Sequence, residues 1–269
     1  LLQQVSVFGI SIKDPAIDFS KVIRRRNAVT NQLLMGVTAL LQDAEIEVIK
    51  GEASFVSEDK IQVVQNDASS LEIEGDAFII ATGSKPTLPK IPGIDLPEIY
   101  ASEEIFNINE LPDRLLILGG GVIALEFAYL FNALGVDVTM VVRSRLLRTS
   151  VDNELATILT NHMSSKGVDI RLKNNVENIS KVSNGLRAVI IDEEGNRCQE
   201  DYSDVLVCTG RKANTHALHL DKAGIALDKH GYIEVDNRMR TNKPNVYAIG
   251  DVIGGMQLAH LASREGEIA

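Results

Sequence analysis

Apolar residues recur along the first part of the chain at the spacing of one helix face. Asp18 precedes this stretch and is a suitable N-cap, because its carboxylate can accept hydrogen bonds from the first helical amides. The pattern therefore predicts one long helix over residues 18–43. The apolar positions that share this face are Val22, Val29, Leu33, Leu34, Val37, Leu40 and Leu41.

The spacing then changes to that of short strands separated by turn residues such as Gly51. Strands are predicted at 46–49, 53–56, 60–64, 71–74 and 76–81. A connector follows at 85–93, where three prolines within seven residues exclude helix and most strand pairing. A short helix is predicted near residues 102–106.

From residue 111 onward, strands and helices alternate. Strands are predicted at 114–118, 137–142, 169–172, 188–191 and 205–208, with helices at 122–134 and 152–166. This order predicts a parallel sheet with right-handed crossovers. The chain then leaves this domain through a strand at 246–249 and a helix that begins near Gln257. We expect domain boundaries near residues 110 and 240.

A glycine-rich turn lies between the first of these strands and its helix, and it reads Gly119, Gly120, Gly121, Val122, Ile123, Ala124. A strand that runs directly into this pattern and then into a helix is typical of a dinucleotide-binding loop. Gly119 permits the tight turn, Gly121 allows close approach of a pyrophosphate, and Ala124 is small enough for the helix–strand contact. A glycine turn that binds no ligand is the alternative.

The residue that selects between nicotinamide nucleotides is expected at the end of the second strand. An acidic residue there would bind the ribose 2′-hydroxyl of NAD. This chain has Val142 and Arg143 instead, followed by Ser144, Arg145 and Arg148. Arg143 could pair with the 2′-phosphate of NADP, which predicts a preference for NADPH or poor discrimination between the two. A solvated basic loop is the alternative.

Composition excludes several classes of partner. The net charge of −10 argues against binding to nucleic acid or to an anionic membrane. The basic run at 24–26 is interpreted as a solvated helix face, and no apolar run is long enough for a transmembrane helix. Two cysteines, Cys198 and Cys208, are too few for a secreted disulfide scaffold, so a cytoplasmic location is expected. The five histidines show no metal-ligand spacing.

Several segments together resemble the flavoprotein pyridine nucleotide-disulfide oxidoreductases, and most closely the dihydrolipoamide dehydrogenases. The resemblance rests on residues 81–84 with the proline-rich connector, 119–126, 208–215 and 246–251, and on Leu258-Ala259-His260 before an acidic helix. It implies an α/β fold in which a Rossmann-like nicotinamide-binding domain, residues 111–240, is inserted in a partial FAD-binding domain formed by residues 1–110 and 241–269.

The resemblance also implies which residues contact the cofactors. Asp251 would bind a ribityl hydroxyl of FAD, and Ala53 would lie near the adenine. The FAD phosphates and ribose would contact the segment Thr82, Gly83 and Ser84. The segment that opens toward the flavin ring would comprise Gln257, Leu258, Ala259 and His260.

Three further residues are assigned to the nicotinamide side by the same resemblance. Glu126, one turn into the helix that follows the glycine loop, matches the glutamate that lies beside nicotinamide and flavin, and it is the candidate catalytic residue. Val176 and Gly210 match backbone positions near the nicotinamide half of the nucleotide. Without the resemblance, Glu126 would be interpreted as a surface residue.

The sequence departs from the family pattern in three places. An N-terminal strand with its own glycine motif, a redox pair of the CxxxxC type and a C-terminal interface domain with a His–Glu pair are not found within these 269 residues. Cys198 and Cys208 do not have the spacing of the redox pair. Since the chain opens with Leu1-Leu2-Gln3 and has no initiator Met, we expect mid-protein sequence.

The leading hypothesis is therefore the central part of an FAD-dependent disulfide oxidoreductase similar to dihydrolipoamide dehydrogenase. It would transfer electrons between NAD or NADP, FAD and a dithiol, either a small molecule or a lipoyl domain, and it would be a homodimer when intact. An NADPH-linked enzyme similar to glutathione or mercuric reductase is one alternative. The other is a nicotinamide-binding module that cannot complete turnover by itself.

Overall fold

The computed structural model describes residues 7–9, 11, 13, 16–147 and 151–269. The expectations about the first five residues and about Arg148 lie outside this part of the chain. The strands of the described residues are β1 (Glu52–Phe55), β2 (Lys60–Val64), β3 (Ser70–Glu74), β4 (Phe78–Ile80), β5 (Ser84–Pro86), β6 (Ile99–Ala101), β7 (Arg114–Leu118), β8 (Asp137–Val142), β9 (Asp169–Leu172), β10 (Asn175–Val182), β11 (Gly185–Ile191), β12 (Arg197–Tyr202), β13 (Asp204–Val207), β14 (Arg211–Ala213) and β15 (Val246–Ala248).

Four α-helices accompany these strands. They are α1 (Phe19–Asp43), α2 (Val122–Ala133), α3 (Asn153–Ser165) and α4 (Ala259–Ile268). Short 3-10 helices occupy Ile105–Asn107, His216–Leu218 and Gly250–Ile253. The predicted helices over 18–43, 122–134 and 152–166 are confirmed to within one residue at each end. None of the helices in the described residues is both long enough and apolar enough to cross a membrane.

The chain forms two compact units. The first comprises Leu1–Ala44 and Leu88–Thr209, and the second comprises Glu45–Thr87 and Gly210–Ala269. Each unit is therefore built from two separate stretches of sequence. These divisions fall at other positions than the predicted boundaries at 110 and 240, and the assignment of domains to cofactors stays a prediction.

A parallel sheet of five strands lies at the centre of the first unit, in the order β6-β13-β7-β8-β9. Leu115, Ile117, Val138 and Leu206 on its inner strands are fully buried. Burial on both faces is expected of strands in a parallel sheet, which is why these segments are almost continuously apolar. The predicted parallel sheet is confirmed, and β6 is a further edge strand that the sequence pattern did not predict.

The predicted strand at 188–191 was assigned wrongly to this parallel sheet. It belongs to β11, the middle strand of an antiparallel sheet in the order β10-β11-β12. The reason is the connection: β10 and β11 are joined by the two residues Ser183 and Asn184. Such a short turn permits only antiparallel pairing, since a parallel neighbour needs a crossover of roughly a dozen residues or more.

The second unit contains the antiparallel sheet β1-β2-β3, the antiparallel pair β5–β14 and the parallel pair β4–β15. Its core includes the buried side chains of Phe55, Ile80 and Val252. The strand predicted at 46–49 was wrong. Ile46 and Val48 are exposed, and no strand in the described part of the chain pairs with this segment.

Helix α1 begins where its N-cap was predicted, because the Asp18 carboxylate accepts the Lys21 amide at 3.1 Å. None of its residues is buried, so its apolar face is exposed in this chain. Arg24, Arg25 and Arg26 are also exposed, as the solvated-face interpretation predicted. The Arg26 guanidinium lies 4.6 Å from the centre of the Phe106 ring, a cation–π contact.

Candidate functional site

The glycine loop lies where β7 ends and α2 begins, in the first unit. Gly119 has a φ of +129°, and a Cβ atom there would lie 2.2 Å from the carbonyl oxygen of Cys208. A Cβ at Gly120 would lie 2.6 Å from Cγ1 of Val142. Packing within the protein therefore explains both of these glycines.

Gly121 has a different environment. Its backbone is extended, with φ −85° and ψ −179°, which any residue can adopt, and a Cβ there would meet no atom of the described residues within 4 Å. The space beside Gly121 is open in this part of the chain, and neither the backbone conformation nor the packing of the described residues requires a glycine there. A ligand that approaches the backbone closely does require it, as a pyrophosphate does in a dinucleotide-binding loop. The residues present thus fit a dinucleotide.

The start of α2 adds donors to this open space. Gly121 is the N-cap and offers no side chain to cap the helix, and the first turn contains no acidic residue. The first amide N–H groups of an α-helix lack helical acceptors and attract anions. Ala124 is fully buried where the helix packs, which is the reason that a small residue is needed there. Val122 is exposed and Ile123 is half-buried.

Glu126 lies on the exposed side of α2, one turn beyond the loop. Within the described residues its carboxylate has no hydrogen-bond or ion-pair partner. Its predicted place beside nicotinamide and flavin stays a prediction.

The two residues at the end of β8 have different environments. Val142 is buried, and its side chain packs beneath Gly120. Arg143 is exposed and has no hydrogen-bond or ion-pair partner among the residues that the structure describes. Arg145 stabilises the loop instead, since its Nη2 donates to the carbonyl of Val151 at 2.9 Å. The Arg143 guanidinium is thus available to an anionic ligand.

A cleft of about 490 Å³ opens beside these residues. It is lined by Arg143, Ser144, Arg145, Lys173, Asn175 and Glu193. The sequence analysis did not identify Lys173. The signal was its position directly after β9, because Val142 and Leu172 are paired in the sheet and the residues that follow them lie at the same edge. Three of the lining side chains are cationic and one is anionic.

Val176 and Gly210 were both predicted to offer backbone to the nicotinamide half. Val176 lies on β10 just before an irregularity in the strand pairing, and its side chain is buried in the core. Only its backbone is therefore left for a ligand. Gly210, in the second unit, has a φ of +142°, and a Cβ there would meet no atom within 4 Å. Glycine is therefore favoured at position 210 by the backbone conformation and not by packing.

In the second unit, three side chains from distant parts of the chain form one polar cluster. Ser84 Oγ donates to Asp251 at 2.5 Å, and Arg211 Nε donates to Ser84 Oγ at 2.7 Å. The Arg211 guanidinium lies 3.9 Å from the Asp251 carboxylate. This cluster fixes the orientation of Asp251 at the start of the 3-10 helix Gly250–Ile253. Arg211 is a functional candidate that the sequence analysis did not select.

Thr82 and Gly83 lie beside this cluster in a loop held by the backbone of Asn214. Thr82 Oγ1 donates to the Asn214 carbonyl, and the Asn214 amide donates to the Gly83 carbonyl, both at 2.9 Å. Gly83 has a φ of +70°, which favours glycine. Ala53 is exposed on β1.

The segment that precedes α4 contains donors without partners. Gln257 has a left-handed φ of +51°, and its buried Nε2 has no hydrogen-bond partner in the described part of the chain. Leu258 is the N-cap of α4 and provides no capping side chain, and Ala259 and His260 are exposed in the first turn. A buried donor normally has an acceptor. An acceptor-rich group such as FAD fits these unused donors.

Glu265 is a second residue that the sequence pattern did not reveal. It is buried, and its Oε2 accepts the amide of Gly250 at 2.7 Å. The carboxylate thereby links α4 to the loop that carries Asp251. No local spacing signals a contact between residues 15 positions apart.

The two cysteines are both free thiols. Burial raises the pKa of the Cys208 thiol to about 12, so this thiol is unreactive at neutral pH. Cys198 is exposed on β12, and its Sγ lies 3.6 Å from Nη1 of Arg171. In the described residues, no group of three or more His, Cys, Asp or Glu side chains is arranged to bind a metal ion.

Comparison with known proteins identifies the family. The sequence model described as pyridine nucleotide-disulphide oxidoreductase matches residues 5–266. The chain belongs to this family. The resemblance predicted from the sequence is thus confirmed, and FAD and NAD(P) are the cofactors of the family.

Individual relatives agree with this assignment. The chain is 36% identical to the dihydrolipoyl dehydrogenase of Chlamydia pneumoniae over 269 residues, which cover all of this chain and 56% of that protein. It is also 36% identical to a dihydrolipoyl dehydrogenase of Bacillus subtilis, of which it covers 58%. The chain therefore spans little more than half the length of these relatives.

A solved structure resembles the fold closely. The HOCl-induced flavoprotein disulfide reductase RclA from Escherichia coli has a TM-score of 0.85 and 35% sequence identity to this chain. The match covers 93% of this chain and 56% of that one. The predicted α/β fold of a two-dinucleotide-binding flavoprotein is confirmed.

Proposed function

We propose that this chain is the central, nucleotide-binding part of an FAD-dependent disulfide oxidoreductase similar to dihydrolipoyl dehydrogenase. The whole enzyme transfers electrons between NAD(P)(H), FAD and a dithiol or disulfide. The two cofactors supply the redox chemistry when they are bound, and the residues of the chain bind and orient them. The observation that carries the proposal is the open space beside Gly121 at the uncapped start of α2.

On the nicotinamide side, the loop from Gly119 to Ala124 binds the pyrophosphate through backbone amides. Glu126 touches the nicotinamide from the exposed face of α2 and is the catalytic residue. Val176 and Gly210 offer backbone groups to the same half of the nucleotide. The supporting observations are the unpartnered Glu126 carboxylate, the buried side chain of Val176 and the open space at Gly210.

The cleft beside β8 selects NADPH over NADH in this proposal. Val142 is buried and apolar, so the end of β8 offers no carboxylate to accept the 2′-hydroxyl of NAD. Arg143 is exposed and unpaired within the described residues, so its guanidinium can bind the 2′-phosphate without first breaking another contact.

Calorimetric titration of the purified 269-residue chain with NADP⁺ and with NAD⁺ tests this proposal. We expect both nucleotides to bind and NADP⁺ to bind about tenfold more tightly, because charge-assisted hydrogen bonds to the 2′-phosphate are worth about 1.5 kcal/mol or more. Failure of both nucleotides to bind would contradict the function itself. Tighter binding of NAD⁺ would contradict only the selectivity.

On the flavin side, Asp251 binds a ribityl hydroxyl, and Ala53 lies near the adenine. Thr82, Gly83 and Ser84 line the phosphates and ribose, and the segment from Gln257 through Leu258 and Ala259 to His260 faces the isoalloxazine. The unused Nε2 donor of Gln257 and the uncapped start of α4 support this assignment.

Two observations favour the two alternative functions. Arg143 at the ribose position is the feature expected of an NADPH-linked enzyme similar to glutathione or mercuric reductase. The two free thiols, one exposed and one half-buried, favour a nicotinamide-binding module that does not complete turnover by itself. A colourless purified chain that still binds NADP⁺ would support the module, and flavin absorbance in the visible spectrum would count against it.

The partners follow from the proposed reaction. The substrate is a small dithiol or a dithiol on a lipoyl domain, and the intact enzyme is a homodimer in the cytoplasm. The net charge of −10 disfavours nucleic acid and anionic membranes as partners.

A further inference from the structure

Lys173 lies at the same sheet edge as Arg143. The two residues directly follow Val142 and Leu172, which are paired neighbours on the parallel strands β8 and β9. Paired parallel strands are about 4.8 Å apart, so the residues that follow them are close together. Lys173 has a left-handed φ of +58°, which ends β9 sharply at the cleft. Both side chains line that cleft.

The one carboxylate that lines the cleft belongs to Glu193, and it pairs with Lys173. Lys173 Nζ lies 2.9 Å from Glu193 Oε1, and the side chains are 61% and 56% exposed. Ion pairs as exposed as this one are weak. A phosphate dianion can therefore replace Glu193 as the partner of Lys173. In the absence of phosphate, Glu193 reduces the positive charge of the cleft.

The antiparallel sheet brings Glu193 to the cleft. Glu193 lies in the turn between β11 and β12. Glu200 on β12 accepts Arg171 of β9 at 2.7 Å and Arg114 of β7 at 3.3 Å. These hydrogen bonds, with that from Arg171 foremost, hold the pKa of the Glu200 carboxyl below its usual range. Strand β12, which follows the turn that carries Glu193, is thus anchored to the parallel sheet.

We propose that Lys173 is a specificity-determining residue that binds the 2′-phosphate of NADP together with Arg143, and that Glu193 limits the affinity by competing for Lys173. The inference rests on the proposed nucleotide-binding function. It adds two residues that lie outside β8: Lys173 as a second ligand of the phosphate, and Glu193 as a competitor of the phosphate for Lys173.

The test is calorimetric titration of NADP⁺ and NAD⁺ into the full 269-residue chain and its variants. We expect Lys173→Met to raise the Kd for NADP⁺ about five- to tenfold and to leave the Kd for NAD⁺ within about twofold. Lys173→Arg keeps the charge and the preference. Glu193→Gln lowers the Kd for NADP⁺ about two- to fivefold, and this gain disappears when Lys173 is also Met.

Lys181→Met is the matched control, since Lys181 lies on β10 outside the cleft and pairs with Glu98 instead. Equal effects of Lys173→Met and Lys181→Met on NADP⁺ would overturn the inference, as would equal weakening of both nucleotides by Lys173→Met. If Arg143→Ala removes the preference for NADP⁺ and Lys173→Met does not, only the role of Lys173 fails. If the unsubstituted chain binds neither nucleotide, the proposed function fails and the inference fails with it.

Discussion

Gly121 differs from its two glycine neighbours in what surrounds it. The chain itself accounts for Gly119 and Gly120, because a Cβ at either position would collide with other atoms of the protein. None of the residues that the structure describes accounts for Gly121 in this way. At the scale of single residues, this difference separates a glycine needed for folding from one needed for a ligand.

This difference predicts opposite results for two substitutions. Gly121→Val should reduce the free energy of unfolding by no more than about 1 kcal/mol, the cost of an apolar residue at the N-cap of α2. It should weaken NADP⁺ binding at least tenfold, since the side chain fills space that the pyrophosphate needs. Gly119→Ala should instead destabilise the fold by more than about 1 kcal/mol, because both its φ and the Cys208 carbonyl oppose a side chain.

Urea unfolding measures the first quantity and calorimetry the second. A Gly121→Val protein that binds NADP⁺ as tightly as the unsubstituted chain would show that the open space is not the nucleotide site.

At the scale of single elements, the sequence predicted those strands and helices whose apolar pattern is regular. The helices α1, α2 and α3 and the strands β7, β8 and β9 were predicted to within about a residue. The apolar pattern alone could not assign the strand at 188–191 to its sheet. A short buried strand has the same run of apolar residues whether its neighbours are parallel or antiparallel. The two-residue turn at Ser183 and Asn184 contained the missing information.

The residues of the candidate site also fall into those that the sequence could predict and those that it could not. The glycine loop and Arg143 were predictable, because their chemistry lies within a few residues of sequence. Lys173, Glu265 and Arg211 were not, because each acts through a neighbour that is distant in sequence. Lys173 becomes visible only through the β8–β9 pairing, and Glu265 only through its bond to Gly250.

The turn that reverses the chain between β10 and β11 gives a prediction at this scale. Gly185 has a φ of +110°, and a Cβ there would lie 2.2 Å from the Tyr202 carbonyl oxygen. Gly195, in the next turn of the same sheet, has a φ of +87° and open space around it. Gly195→Ala should cost about 1 kcal/mol for its backbone conformation alone, and Gly185→Ala clearly more, because the chain must also shift.

Thermal unfolding of the two variants measures this difference. Equal losses of stability would mean that the contact between Gly185 and Tyr202 does not constrain the antiparallel sheet.

At the scale of the whole chain, two compact units each contribute part of the proposed binding machinery. The glycine loop, Glu126 and the cationic cleft belong to the first unit, and the polar cluster around Asp251 belongs to the second. Each unit is built from two stretches of sequence. An inserted domain interrupts the domain that surrounds it, which accounts for the two stretches of the second unit. The assignment of the two units to the two cofactors stays a prediction.

The central claim is that a nicotinamide nucleotide binds to the loop between β7 and α2. Hydrogen–deuterium exchange of the full chain, with and without NADP⁺, tests it most directly. The first amides of α2 lack helical acceptors, so they exchange quickly until a pyrophosphate accepts their hydrogen bonds. We expect NADP⁺ to slow exchange at residues 121–124 and in the segments around Arg143 and Lys173, whereas the Leu125 amide already donates to the Gly121 carbonyl in the helix. Unchanged exchange at residues 121–124 under saturating NADP⁺ would contradict the central claim.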